Sequence, residues 1–100
     1  MALVKMWPGD LPSEYDKLPP DTQKALAGWI KKHFSHSKQA NMDRTSYGYK
    51  HNFSSESGPY ITNGAFKGAM LAAGFAPVDD SAQNWCFRAK CNWKPARLVW

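Results

Sequence analysis

Cysteine is scarce in this chain of 100 residues: Cys86 and Cys91 are too few for a disulfide framework. Their odd separation puts them on opposite faces of a straight strand, so they cannot share a metal or a disulfide there without a bulge. Long apolar runs are missing as well. No stretch approaches the roughly 20 residues needed to span a bilayer, and the opening MALVKMWPGDLPSEY lacks the apolar region of a secretory signal. A cytoplasmic protein with reduced thiols and no membrane partner is the expectation. Internal repeats and low-complexity segments are absent. So are a Ser/His/Asp constellation, a phosphate-cradling glycine loop and a nucleophile motif. The acidic pairs Glu14 with Asp16 and Asp79 with Asp80 fall in segments expected to be irregular. His33 and His36 are the nearest approach to a ligand pair, but His33 falls on the inward side of a predicted helix. The reading is therefore of a non-enzymatic protein with no catalytic residues, no cofactor and no metal.

What is present is apolar and aromatic: 43% hydrophobic residues, with five tryptophans, enough for one core. A single domain over 1–100 is expected, divided into an N-terminal arm (1–12), a helical part (13–75), a hairpin (76–93) and a tail (94–100). Trp7, Trp93 and Trp100 sit near the chain ends, where they either pack back or serve as contacts. The formal charge of +5 leans toward a polyanionic partner, but the excess is modest. Only the last segment is concentrated, where Arg88, Lys90, Lys94 and Arg97 follow one another closely with no acid among them.

Periodicity supplies the elements. From about Asp21, residues Thr22, Leu26, Trp29, Ile30, His33 and Phe34 share one side of a helix. Residues 36–42 are polar and read as a loop. A second helix over about 43–54 would turn Met42, Ser46, Tyr49 and Phe53 inward and Arg44, Tyr47, Lys50 and His51 outward. In TNGAFKGAMLAAGF (62–75), Thr62 suits an N-cap, Ile61 and Phe66 a hydrophobic staple, and Gly74 a C-terminal stop. Phe66, Ala69, Met70 and Ala73 would face the core. Gly64, Gly68 and Leu71 lie opposite, with Lys67 at the margin. Each glycine gives up about 1 kcal/mol of helix propensity, so that side implies a close approach by something else. After Gly74 the period becomes 2: Trp85, Phe87, Ala89, Cys91 and Trp93 alternate with Cys86, Arg88, Lys90 and Asn92, predicting a strand that pairs with 75–78.

The predicted fold class is α+β: three main helices followed by a C-terminal β-hairpin, winged helix-turn-helix-like. In that frame the helix from Thr62 enters DNA and Asp79–Gln83 forms the wing. Only Asn63 and Lys67 offer contacts near that helix's start, and Asp79 and Asp80 would repel phosphate.

The runs Tyr47-Gly-Tyr-Lys50-His51 and Tyr60-Ile-Thr-Asn-Gly64-Ala-Phe66-Lys67-Gly-Ala-Met70, followed by Ala73-Gly74-Phe75, resemble small proteins carried by bacteriophages, prophages and plasmids. The resemblance covers roughly residues 43–88. It implies a mobile-element origin and supplies no catalytic residues. Short proteins of that kind commonly bind DNA as regulators or bind a host protein, including host-defence components such as a CRISPR effector.

The leading expectation is duplex DNA binding through phosphate contacts by Arg44, Lys50, Asn63, Lys67, Arg88 and Lys90. The rival is a host protein, or a second copy in a homodimer, packed on Gly64, Gly68 and Leu71 and flanked by Tyr47 and His51.

Overall fold

Pro20 opens the first helix for a stereochemical reason: near a helix start a missing N–H costs nothing, and the fixed φ suits the helix. In the computed structural model, which describes residues 8–57 and 59–91, α1 runs Pro20–His33. Leu26, Trp29, Ile30 and His33 form its buried face, as the period predicts. The chain continues directly into β1, Phe34–Asn41, where a loop was expected over 36–42. After Phe34 this segment is polar and mostly exposed on both sides, so it carries no alternation to read. Backbone pairing alone makes it a strand.

Its partner is β2, Phe87–Cys91, and the two are antiparallel, with Phe34 opposite Cys91 and His36 opposite Ala89. The register then shifts before Asn41 meets Phe87. Phe87 and Ala89 are buried while Arg88 and Lys90 are exposed, the alternation read from sequence. The pairing expected with 75–78 shrinks to one bridge, Pro77 with Phe87, flanked by Val78 N–H donating to the Cys86 carbonyl (2.9 Å) and Arg88 N–H to that of Ala76 (3.0 Å). The main partner of β2 thus comes from before the second helix. Residues 92–93 of the predicted hairpin, the tail, and Trp7 lie outside the described residues.

The second helix, α2, spans Ser46–Ser57. Its first residue is tied to the approach to β2: Ser46 N–H donates to the Trp85 carbonyl (2.7 Å), and Ser46 Oγ accepts from Trp85 N–H (2.9 Å). Tyr49 and Phe53 are buried as expected, but Met42, read as inward, is exposed.

The third helix, α3, spans Asn63–Ala72. Thr62 Oγ1 accepts from Ala65 N–H (3.1 Å), which is the predicted N-cap. At the other end Phe75 N–H reaches the Met70 carbonyl and Gly74 N–H that of Leu71, both at 2.9 Å, with Gly74 at φ +89°. This closure needs the left-handed conformation that glycine adopts without penalty. Phe66, Ala69 and Met70 enter the core; Ala73 is exposed instead.

Every residue from Asn63 to Met70 is buried, because α3 is also covered on its glycine side. The cover is the chain's own N-terminal segment, two 3₁₀ turns at Pro8–Asp10 and Pro12–Lys17. What was read as an arm over 1–12 is, from Pro8, a strap laid across α3. The expected helical part over 13–75 thus begins in 3₁₀ form.

His33 links this packing to pH. It is buried at the end of α1 with Nε2 3.6 Å from Glu56 Oε1. Burial lowers its pKa, outweighing the opposing pull of Glu56. The unfolded chain, near the ordinary 6.5, therefore binds the proton first, so this contribution is complete above about pH 6.5 and is lost as pH falls below it. His51, also lowered by burial and by Lys50, acts in the same direction. The urea midpoint is expected to fall between about pH 7.5 and 5.5, with a shallower fall in His33→Gln. An unchanged midpoint would contradict the burial of His33.

Candidate binding face

Four of the six side chains expected to reach phosphates are built into the fold. Lys67 is 0% exposed. Its Nζ donates to the Asp10 carbonyl at 2.9 Å and lies 4.9 Å above the Trp85 ring. Asn63 Nδ2 faces Asp10 Oδ1 (3.0 Å), the Gln83 carbonyl (3.0 Å) and Asn84 Oδ1 (2.9 Å), three acceptors for two hydrogens. Gln83 Nε2 adds a bond to Asp10 Oδ2 at 3.1 Å. The start of α3 is thus a latch joining the strap, the helix and the 79–84 loop. Asn63 and Lys67 are occupied by it and do not face a ligand. Arg44, expected outward, is buried with its guanidinium 5.2 Å above the Tyr49 ring. Lys50 is buried as well. Arg88 and Lys90 remain exposed, and Arg88 Nη1 donates to the Lys38 carbonyl at 3.2 Å.

The glycine face is corrected in the same way. A Cβ at Gly64 would lie 2.7 Å from Leu11 C and N, and one at Gly68 would lie 2.5 Å from Tyr15 Cβ. Close approach is real, but it is made by this chain itself, so Gly64 and Gly68 offer nothing to a partner. Leu71 stays exposed at the far end of α3.

The burials change the electrostatic picture. Of thirteen Lys and Arg residues, Arg44, Lys50 and Lys67 are buried and Lys5, Lys94 and Arg97 lie outside the described residues. The seven exposed cations that remain face eight acidic side chains, all described and none buried. The described surface is therefore close to charge-balanced. A polyanion gains little from such a surface, since duplex affinity rests on many phosphate contacts.

What does project outward is a cluster on α2 and the turn after it. Tyr47, Lys50 and His51 share a helix face through i+3 and i+4 spacing. Tyr60, beyond the end of α2, completes it. Tyr47 is 44% exposed and Tyr60 72%, while Lys50 beneath them is only 5% exposed. The Lys50 ammonium lies 4.7 Å from the Tyr60 ring centre and 5.1 Å from that of Tyr47, both within cation–π range. His51 meets Tyr47 edge-on at 4.5 Å. Burial lowers the Lys50 pKa.

Tyr60 was not singled out from sequence. Its signal lay in the capping pattern: Ile61 takes the staple position, so Tyr60 must turn the other way.

Asp79 Oδ1 accepts from Ser81 N–H (3.0 Å) and Ser81 Oγ–H (2.6 Å), bonds that lower its pKa and close the turn. His36 stacks on Phe75 at 4.2 Å. Among the described residues there is no group of three or more His, Cys, Asp or Glu arranged to hold a metal ion, and no helix is long and apolar enough to cross a membrane. Comparison with protein-family models, curated proteins and solved structures finds no match to this chain.

Proposed function

We propose that this chain is a non-enzymatic binding module of a mobile genetic element, cytoplasmic, with a host protein as its partner. The contact face is Tyr47, Lys50, His51 and Tyr60. The observation that carries this reading is the pair of exposed tyrosine rings held over Lys50, since Tyr is enriched where protein interfaces concentrate their binding energy. The order α1, β1, α2, α3, a short pairing at Ala76–Val78 and then β2 supports a winged helix-turn-helix-like frame with Asp79–Gln83 as the wing. Within that frame the usual DNA-facing helix is α3, and here the strap covers it. The burial of Asn63 and Lys67 and the balanced charge of the described surface both favour a protein over duplex DNA.

The test compares wild type with Tyr47→Ser/Tyr60→Ser as bait in nuclease-treated host lysate. Wild type is expected to retain one protein that the double variant loses, with melting temperatures alike because both changes lie on the surface. Duplex DNA binding that weakens steeply with salt and is unaffected by the double substitution would overturn the proposal.

A further inference from the structure

Lys50 differs in kind from Lys67, whose ammonium donates to a backbone carbonyl. Lys50 is buried under two aromatic rings and forms no ion pair among the described residues. All eight Asp and Glu side chains of the chain lie within the described residues, and none of them pairs with it there. A ring quadrupole attracts an ammonium without cancelling its charge, so the site keeps a net positive charge in surroundings where water is partly excluded. Buried charges are ordinarily paired, and among the described residues this one has no acidic partner. The rings that frame it are largely open to solvent, so an incoming anion and the apolar group beside it would meet the ammonium and the rings together.

We propose that Lys50, framed by Tyr47 and Tyr60, is an anion receptor for one carboxylate in an acidic segment of the partner protein, with a neighbouring aromatic side chain of that segment lying on Tyr60. This rests on the protein-binding reading above. One ammonium matches one carboxylate. A phosphate chain would need several cations in register, whereas the rings of Tyr47 and Tyr60 frame a single ammonium among the described residues. His51 is the other titratable group against the cluster, through Tyr47. The lowered pKa of Lys50 has burial as its cause and no acid opposing it, which fits an ammonium still awaiting its counter-charge.

The experiment follows the Lys50 ε-methylene signal by NMR in the full chain. The probes are a short synthetic peptide with Glu beside Trp, the same peptide with Gln for Glu, and oligothymidylate. The Glu peptide is expected to shift the Lys50 signal and raise its titration midpoint, and the Gln peptide to bind about tenfold more weakly. In Lys50→Met, read through the Tyr60 ring signals, the Glu peptide should bind no better than the Gln peptide, while the variant melts no lower than wild type because it removes a buried charge with no acidic partner among the described residues. Tyr60→Leu, which leaves the ammonium in place, should weaken the Glu peptide without abolishing the shift. Equal binding of the Glu and Gln peptides, or a shift produced by oligothymidylate alone, would overturn the proposal. If the double tyrosine variant loses its captured protein but the Glu peptide leaves Lys50 unmoved, the contact face stands and the carboxylate assignment falls. If the peptide shifts Lys50 but capture survives the double variant, the receptor stands and the contact face falls.

Discussion

Gly64→Ala is expected to destabilise the protein by about 3 kcal/mol, while the same change at Gly28 is expected to stabilise it by about 0.5–1 kcal/mol. Both glycines lie in helices, Gly28 in the interior of α1 and Gly64 in the first turn of α3, so alanine brings each a gain in helix propensity of at most about 1 kcal/mol. The difference lies in what the new methyl group would meet. At Gly28 there is nothing within 4 Å. At Gly64 the methyl would meet the Leu11 backbone, with the carbonyl oxygen nearest and the C and N atoms at 2.7 Å. A side chain can rotate away from such a contact, but a main-chain carbonyl in a 3₁₀ turn moves only if the turn moves. The steric cost must therefore exceed the propensity gain, and relief would come from lifting the strap off α3. Lifting it also opens the latch at Asp10, Asn63 and Lys67, leaving a buried ammonium without its carbonyl. Urea titration of both variants checks the signs, and limited proteolysis within 8–17 checks the route. Equal stability of Gly64→Ala and wild type would mean that the strap does not lie on this helix.

The same pair of glycines marks the boundary of what was legible in the sequence. Two small residues one turn apart imply a close neighbour, and that inference was physically sound. The pattern says nothing of whether the neighbour belongs to another molecule or to a distant part of the same chain, and here Leu11, Pro12 and Tyr15 supply it. Lys67 was misjudged for a related reason. A lysine at the edge of an apolar face reads as a surface cation, and its burial depends on a carbonyl at Asp10, 57 residues away in sequence.

Elements encoded by local period were legible. The buried stripe of α1, the Thr62 cap, the Gly74 closure and the alternation along β2 each depend on residues within a turn or two of one another. β1 could not be read this way, because Ser35 to Asn41 have no apolar face and owe their extended form to β2, some fifty positions later. The candidate face lay between these extremes. Tyr47 and His51 were visible as an outward pair, but a helical wheel cannot show that Lys50 would sink between Tyr47 and a tyrosine from beyond the end of α2.

Phe66→Ala is expected to cost about 3–5 kcal/mol. Phe66 is fully buried near the middle of α3, and its ring lies 5.8 Å from Tyr49, 6.2 Å from Phe87, 6.3 Å from Trp29 and 6.4 Å from Phe34. Those four rings come from α2, β2, α1 and β1, so this side chain is where every regular element meets α3. Removing it takes away apolar burial and also leaves a void that no single neighbour can fill, since each is held in its own helix or strand. Against a typical total of about 5–15 kcal/mol, little stability would remain, and the melting temperature is expected to fall by about 12 °C or more. Leu71→Ala, on the exposed side of the same helix, is expected to change stability by less than about 0.5 kcal/mol. Thermal melts followed by near-ultraviolet circular dichroism, where the tryptophan and tyrosine signals report on this cluster, measure both. Similar melts for the two variants would mean that α3 does not turn Phe66 toward the four rings, and the placement of Tyr49, and of Tyr47 and Lys50 beside it on α2, would fall with that orientation.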